Sequence, residues 1–186
     1  MADMDGEMKK LTRQILKDIR IELGDEFDQN FERQGFFTEK WQRRKSPVRG
    51  DGHILVASGA LRRSIKSRSD DVSITFYSDL SYAGIHNEGG EIKVTARMKK
   101  FFWHKYYEAT GSFGHRKDGT RRQNRRNQQL SAEAEYWKSL ALMKEGKSIK
   151  IPRRQFLGMA PEVEREVRKI IEDNLTHYFD HYQFKL

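Results

Sequence analysis

Cysteine is absent from the 186-residue sequence. That excludes disulfides and thiolate metal sites, and it fits a reducing compartment. No apolar run approaches the ~20 residues of a membrane span. The opening MADMDGEMKK is acidic and lacks an apolar h-region, so a secretory signal is not expected there. These absences point to a protein made and kept in a cytoplasm, without a membrane partner. The phosphate-cradling Walker loop, the G-x-S-x-G elbow and the G-x-G-x-x-G fingerprint are also missing. GSFG at 111–114 lacks the Lys-Ser/Thr tail of a phosphate loop. There is no internal repeat.

Charge is what the chain has in quantity. Lys and Arg number 36 against 27 Asp and Glu, for a net charge of +9. A basic chain suits nucleic acid, an acidic protein surface or an anionic membrane as partner, or simply solubility. Hydrophobic residues make up 36% and charged residues 34%. That balance suits a small core with long solvated helices, or a subunit completed by assembly.

Leu16, Ile19, Leu23, Phe27 and Phe31 recur at helical spacing, with Ile15 widening the stripe, and predict a long amphipathic helix over 4–31. Gly24 lies inside it, costs about 1 kcal/mol relative to Ala and offers a point of bending. Phe37 and Trp41, four residues apart, predict a short second helix. Pro47 and VRGDGH predict a loop, and the RGD at 49–51 is read as loop chemistry. Ser58 is a candidate N-cap for a helix with Leu61 and Ile65 inward and Arg62 and Arg63 outward. VSITFYS alternates as a half-buried strand, with Val72, Ile74 and Phe76 on one face. DLSYAGIHNEGG predicts a short helical turn ended by Gly89 and Gly90.

EIKVT and SIKIP read as the two arms of a hairpin with residues 97–147 inserted at its tip. The insert predicts a helix over RMKKFFWHKYYEAT, a flexible loop over GSFGHRKDGTRRQNRRNQQ and a second helix carrying Leu130, Ala134, Trp137 and Ala141. A last helix starts at Pro161, with Glu162 and Glu164 near its N-terminus. Its inner face is marked by Val163, Val167, Ile170, Ile171, Asn174 and Tyr178. The expected class is α+β: a small antiparallel sheet packed by long terminal helices, with a helical insertion in a β-hairpin. Residues 1–96 and 148–186 form the core domain, and 97–147 a basic arm.

Candidate chemistry is sparse. His86 and Glu88 sit at i and i+2, which do not face each other on a helical turn, and no second ligand group stands nearby. His177 and His181 are four apart on the last helix, beside Asp180. Tyr178 follows the first histidine, so the H-E-x-x-H metalloprotease pattern is missing. No catalytic, cofactor-binding or metal residue is assigned.

The insert holds the strongest electrostatic signal. Arg97, Lys99, Lys100, Lys105, Arg116, Lys117, Arg121, Arg122, Arg125 and Arg126 stand against only Glu108 and Asp118. Phe101, Phe102, Trp103, Tyr106 and Tyr107 interleave with them. Basic residues can meet phosphates while aromatics stack on bases. A helix with aromatics inward and cations solvated, and docking to an acidic protein, fit the same pattern. A nucleic-acid-binding protein acting through 97–126 is the rival reading, and a metal-dependent hydrolase using the histidines a second.

Three stretches, LVASGALRRSI (55–65), SDLSYAGIHNEGG (78–90) and IPRRQFLGMAPEVEREV (151–167), together resemble the phage virion morphogenesis family, which includes tail completion proteins of Mu-like and P2-like phages. Ser58, Gly59, Leu61, Ser64 and Ile65 match the first family step. Tyr82, Ala83, His86 and Gly89 match the second. Ile151, Pro152, Arg154, Phe156, Leu157 and Gly158 match the third, where Gln155 replaces a usual Pro. The resemblance implies a structural, non-enzymatic phage or prophage protein that completes the tail and joins it to the head. On this reading IHNEGG is a fixed turn that places its helix against the sheet. The expected partners are copies of the chain in a ring, met through the N-terminal helix and the 97–147 arm, and other tail or neck proteins; the alternative for the basic arm is DNA passing the head–tail junction. The expected location is the virion, after assembly in the bacterial cytoplasm.

Overall fold

In the computed structural model, which describes residues 2–44, 46–48 and 52–183, the chain runs through six helices and six strands. These are α1 (Ala2–Arg33), β1 (Gly35–Phe36), β2 (Glu39–Lys40), α2 (Ala60–Arg63), β3 (Ile65–Ser69) and β4 (Ile74–Ser78). They continue as α3 (Ala83–Glu88), β5 (Gly90–Lys93), α4 (Ala96–Gly111), α5 (Arg125–Ala141), β6 (Ser148–Ile151) and α6 (Pro161–Gln183). The class is α+β, and the strands pair as three two-stranded antiparallel ladders. The RGD triplet lies outside the described residues.

Two compact units divide the chain: Met1–Trp41, His53–Glu88 and Arg154–Leu186 form the first, and Gln42–Gly52 with Gly89–Arg153 the second. In the first, the apolar stripe of α1 is buried at Leu11, Ile19, Leu23, Phe27 and Phe31. The helix continues through Gly24 without a break, and the ring of Phe76 stands 4.0 Å from where a Cβ would project. On α6, Val163 and Ile170 are buried, and Val167 and Ile171 pack against the same core. Non-directional burial of these faces is the main stabilising term.

The helix expected around Phe37 and Trp41 is replaced by the tight β1–β2 ladder, Gly35 opposite Lys40 and Phe36 opposite Glu39. Gln34 and Phe37 take positive φ, 56° and 50°. A Cβ on Gly35 would lie 2.5 Å from the Glu39 carbonyl oxygen, so no larger residue fits. Tertiary contacts override the i, i+4 spacing. Phe36 stacks on Phe27 at 6.2 Å, Trp41 meets Phe31 edge-on at 5.6 Å, and Asn30 Oδ1 accepts the Phe37 N–H at 2.8 Å.

The helix expected from Ser58 through Ile65 is cut short. Gly59, at φ 70°, is the N-cap of α2 and has no side-chain cap bond; Ser58 Oγ instead accepts the Ala60 N–H at 3.3 Å. Ile65 opens β3, whose register pairs Ile65 with Ser78 and Ser69 with Ile74. Asp70 makes the turn: its Oδ1 accepts the N–H of Val72 at 2.9 Å and of Ser73 at 2.7 Å. The Ser73 hydroxyl, which donates to Asp70 Oδ2 at 2.7 Å, and then these two backbone bonds hold the Asp70 carboxyl below its usual pKa. Val72 belongs to this turn and not to the strand, and is 83% exposed. Arg62 bridges α2 to α1 through Asp28, at 2.6 and 2.5 Å, and Glu32. Its guanidinium keeps the Asp28 carboxyl depressed.

The second unit is a hairpin carrying a helical pair. β5 and β6 pair from Gly90 with Ile151 to Lys93 with Ser148, the pairing expected of EIKVT and SIKIP. The ladder extends to buried Val94, whose N–H donates to Lys147 O at 2.9 Å. Thr95 caps α4 by accepting the Met98 N–H. Trp137 of α5 stacks on Phe102 at 5.9 Å and meets Phe101 edge-on, joining the two helices.

Candidate functional site

The IHNEGG segment is a backbone clamp. His86 O accepts the Arg154 N–H at 2.8 Å. Asn87 Oδ1 then accepts two more, from Phe156 N at 2.9 Å and Leu157 N at 3.0 Å. Asn30 of α1 donates through Nδ2 to Phe156 O at 3.4 Å, and Trp41 Nε1 donates to Gln155 O at 2.6 Å. Residues 154–157 are thus held through their own backbone groups, by α3, by α1 and by Trp41. Buried Phe156 meets Phe31 at 5.4 Å. What α3 braces is this segment, not a sheet face.

This core draws in part of each motif singled out in the sequence: Leu61 and Ile65 from the first, Ala83 from the second, Phe156 and Leu157 from the third. Arg154 is buried at 8%. Ser58, Tyr82 and Gly158 stay exposed. Gly89, at φ 76°, ends α3 where a Cβ would lie 2.8 Å from Arg153 N. Ile151 and Pro152 are half-buried in and just after β6.

His86 turns inward and makes no pair with exposed Glu88. Its Nδ1 is buried without a hydrogen-bond partner among the described residues, and its ring meets Tyr82 edge-on at 6.1 Å. Burial, and then the nearby Arg154 charge, push its pKa below 6.5. The folded state therefore refuses a proton that the unfolded chain accepts. Stability contributed by the neutral ring is present above pH 6.5 and is lost as pH falls below it. Denaturant midpoints should drop between pH 7 and about pH 5.5 in the wild type, and less in His86→Gln; equal slopes would remove His86 as the cause.

His177 and His181 lie 5.7 Å apart, ring to ring, and both are exposed. Among the described residues no group of three His, Cys, Asp or Glu side chains could hold a metal ion, and no helix is long and apolar enough to cross a membrane.

The loop between α4 and α5, expected to be flexible, is closed by polar bonds instead of apolar packing. Asn127 is 2% exposed. Its Oδ1 accepts Gly114 N at 2.9 Å, and its Nδ2 donates to Gly114 O at 2.8 Å and Arg122 O at 2.7 Å. Arg121 lies over the Phe113 ring at 3.3 Å and donates to Asn127 O and Ser131 Oγ. Arg122 Nε donates to His115 O at 2.9 Å. Two of the ten candidate contact cations are thus structural. Lys105 is paired with Glu108 at 2.6 Å. Among the described residues, Arg97, Lys99, Lys100, Lys117, Arg125 and Arg126 have no side-chain hydrogen bond or ion pair, and Arg116 makes only a 3.4 Å bond to Thr120. The aromatics divide as well: Phe102 is core, while Phe101 and Tyr107 are half exposed or more.

The model of the phage virion morphogenesis family matches residues 6–176. The chain belongs to that family. A search of curated proteins and a search of solved structures find no match. As a family member this chain is a phage protein of virion morphogenesis, and the matched span includes the whole basic arm. Sequence reading of this family member missed Asn30, Asn87 and Asn127, the residues that organise both units. A lone Asn between Phe27 and Phe31 on an apolar stripe was the available signal for Asn30.

Proposed function

We propose that this family member is a non-enzymatic structural subunit that completes the phage tail and joins it to the head, acting at the tail or the head–tail junction after assembly in the bacterial cytoplasm. The observation that carries the reading is the family match across both compact units. The site geometry supports it: His86 serves a buried corner, and His86 and Glu88 do not meet. The stripe of α1 is covered by the subunit's own core, while Met8 and Ile21 on the same helix stay about half exposed and offer apolar surface to a neighbouring copy; a ring arises when such head-to-tail interfaces close by rotation. The long first helix and the arm are the elements proposed to meet neighbouring copies and other tail or neck proteins.

A clean deletion in an inducible host, with electron microscopy of the lysate, tests this. Filled heads beside unattached or misfinished tails are expected. Normal infectious virions would overturn it.

A further inference from the structure

From the build of the arm tip we infer a docking surface for the sugar–phosphate backbone of duplex DNA. The inference goes beyond the morphogenesis reading and holds wherever in the particle the subunit acts. The cations assigned to it are Arg116, Lys117, Arg125 and Arg126, all exposed. Among the described residues only Arg116 of the four has a side-chain hydrogen bond, the 3.4 Å contact to Thr120, and none is ion-paired.

Three observations favour this partner. First, the tip is held in one shape by its own arginines. Arg121 and Arg122 lock the loop, through Phe113, Asn127 and His115, so Arg116 and Lys117 sit in a braced loop that leads directly into the helix start carrying Arg125 and Arg126. Second, Arg125 and Arg126 occupy the first turn of α5, which contains no acid. The helix dipole already makes that end positive, and two arginines there oppose it. An incoming anion relieves both. Third, no apolar residue occurs from 114 to 129, and Asp118, which is occupied by Thr120, is the single acid between Glu108 and Glu133. Stable protein interfaces need an apolar centre. Backbone contacts to nucleic acid need only charge and hydrogen-bonding groups, which the exposed amides of Gln123 and Gln128 add.

The test is fluorescence anisotropy of the full chain on a mixed-sequence duplex of about 30 bp, titrated with salt. The tip variant carries Arg116→Gln, Lys117→Gln, Arg125→Gln and Arg126→Gln. The control removes equal charge elsewhere, with Lys17→Gln, Arg165→Gln, Arg168→Gln and Lys169→Gln. Thermal melts verify that both remain folded. Four phosphate contacts predict an affinity falling about 10²-fold between about 50 and 200 mM salt. The tip variant should lose most of that slope, and the control should keep it. Three results would overturn the proposal: no binding at low salt, equal weakening by both variants (net charge alone), or displacement of the duplex by polyglutamate at equal charge (an acidic protein partner).

Discussion

Replacing Asn87 with alanine is expected to lower the melting temperature by about 5–15 °C, equivalent to about 2–4 kcal/mol. The side-chain oxygen accepts from Phe156 N and Leu157 N. Both residues are buried, at 1% and 9% exposure, so alanine leaves two donors that water reaches poorly. Each such group costs about 1–3 kcal/mol when left unpaired. The donors are backbone N–H groups, which fixes the amide with its oxygen toward them. Asn87→Asp supplies the same acceptor in charged, stronger form and should keep most of the stability. Calorimetry on the wild type and both variants checks this. If aspartate is as damaging as alanine, acceptance of two N–H bonds is not what Asn87 contributes.

This clamp marks the limit of what the sequence made legible. The long helices were readable because Leu23, Phe27 and Phe31 on α1, and Val163, Val167 and Ile170 on α6, repeat at the helical period. The β5–β6 ladder was readable because EIKVT and SIKIP alternate and bracket a self-contained insert. The β1–β2 turn was not, because Phe37 and Trp41 have helical spacing. Long-range contacts decide their conformation: Trp41 Nε1 reaches Gln155 O, 114 positions away. β3 was hidden for another reason. IKSRS is mostly polar, and its partner could be recognised only after Asp70 was known to turn the chain.

The arm tip shows the same limit on the functional side. A count of cations in sequence weights all ten equally, whereas the fold divides them. Arg121 stacks on Phe113 and Arg122 reaches His115 O, so charge reversal at those two would test the folding of the loop and not its contacts. Segments without an apolar period read as flexible because periodicity reports burial alone. A loop closed by one buried asparagine leaves no such trace.

Asn127→Ala is therefore expected to remove about 3–5 kcal/mol of local stability from that loop. Three bonds from one side chain are lost, one accepted from Gly114 N and two donated to Gly114 O and Arg122 O. Here aspartate should not rescue. It keeps the single acceptor but faces two carbonyl oxygens, at 2.8 and 2.7 Å in the native contacts, with a carboxylate that repels them. The two asparagines thus make opposite predictions for the same substitution, tolerated at 87 and damaging at 127. Hydrogen exchange at the Arg122 amide, which donates to Gly114 O at 2.9 Å, reads the effect directly. Its protection should fall in both Asn127 variants while amides in the middle of α1 keep theirs. Native protection at Arg122 in Asn127→Asp would show that the donated bonds do not hold the loop. The braced shape on which the DNA-docking surface depends would then rest on Arg121 and Arg122 alone.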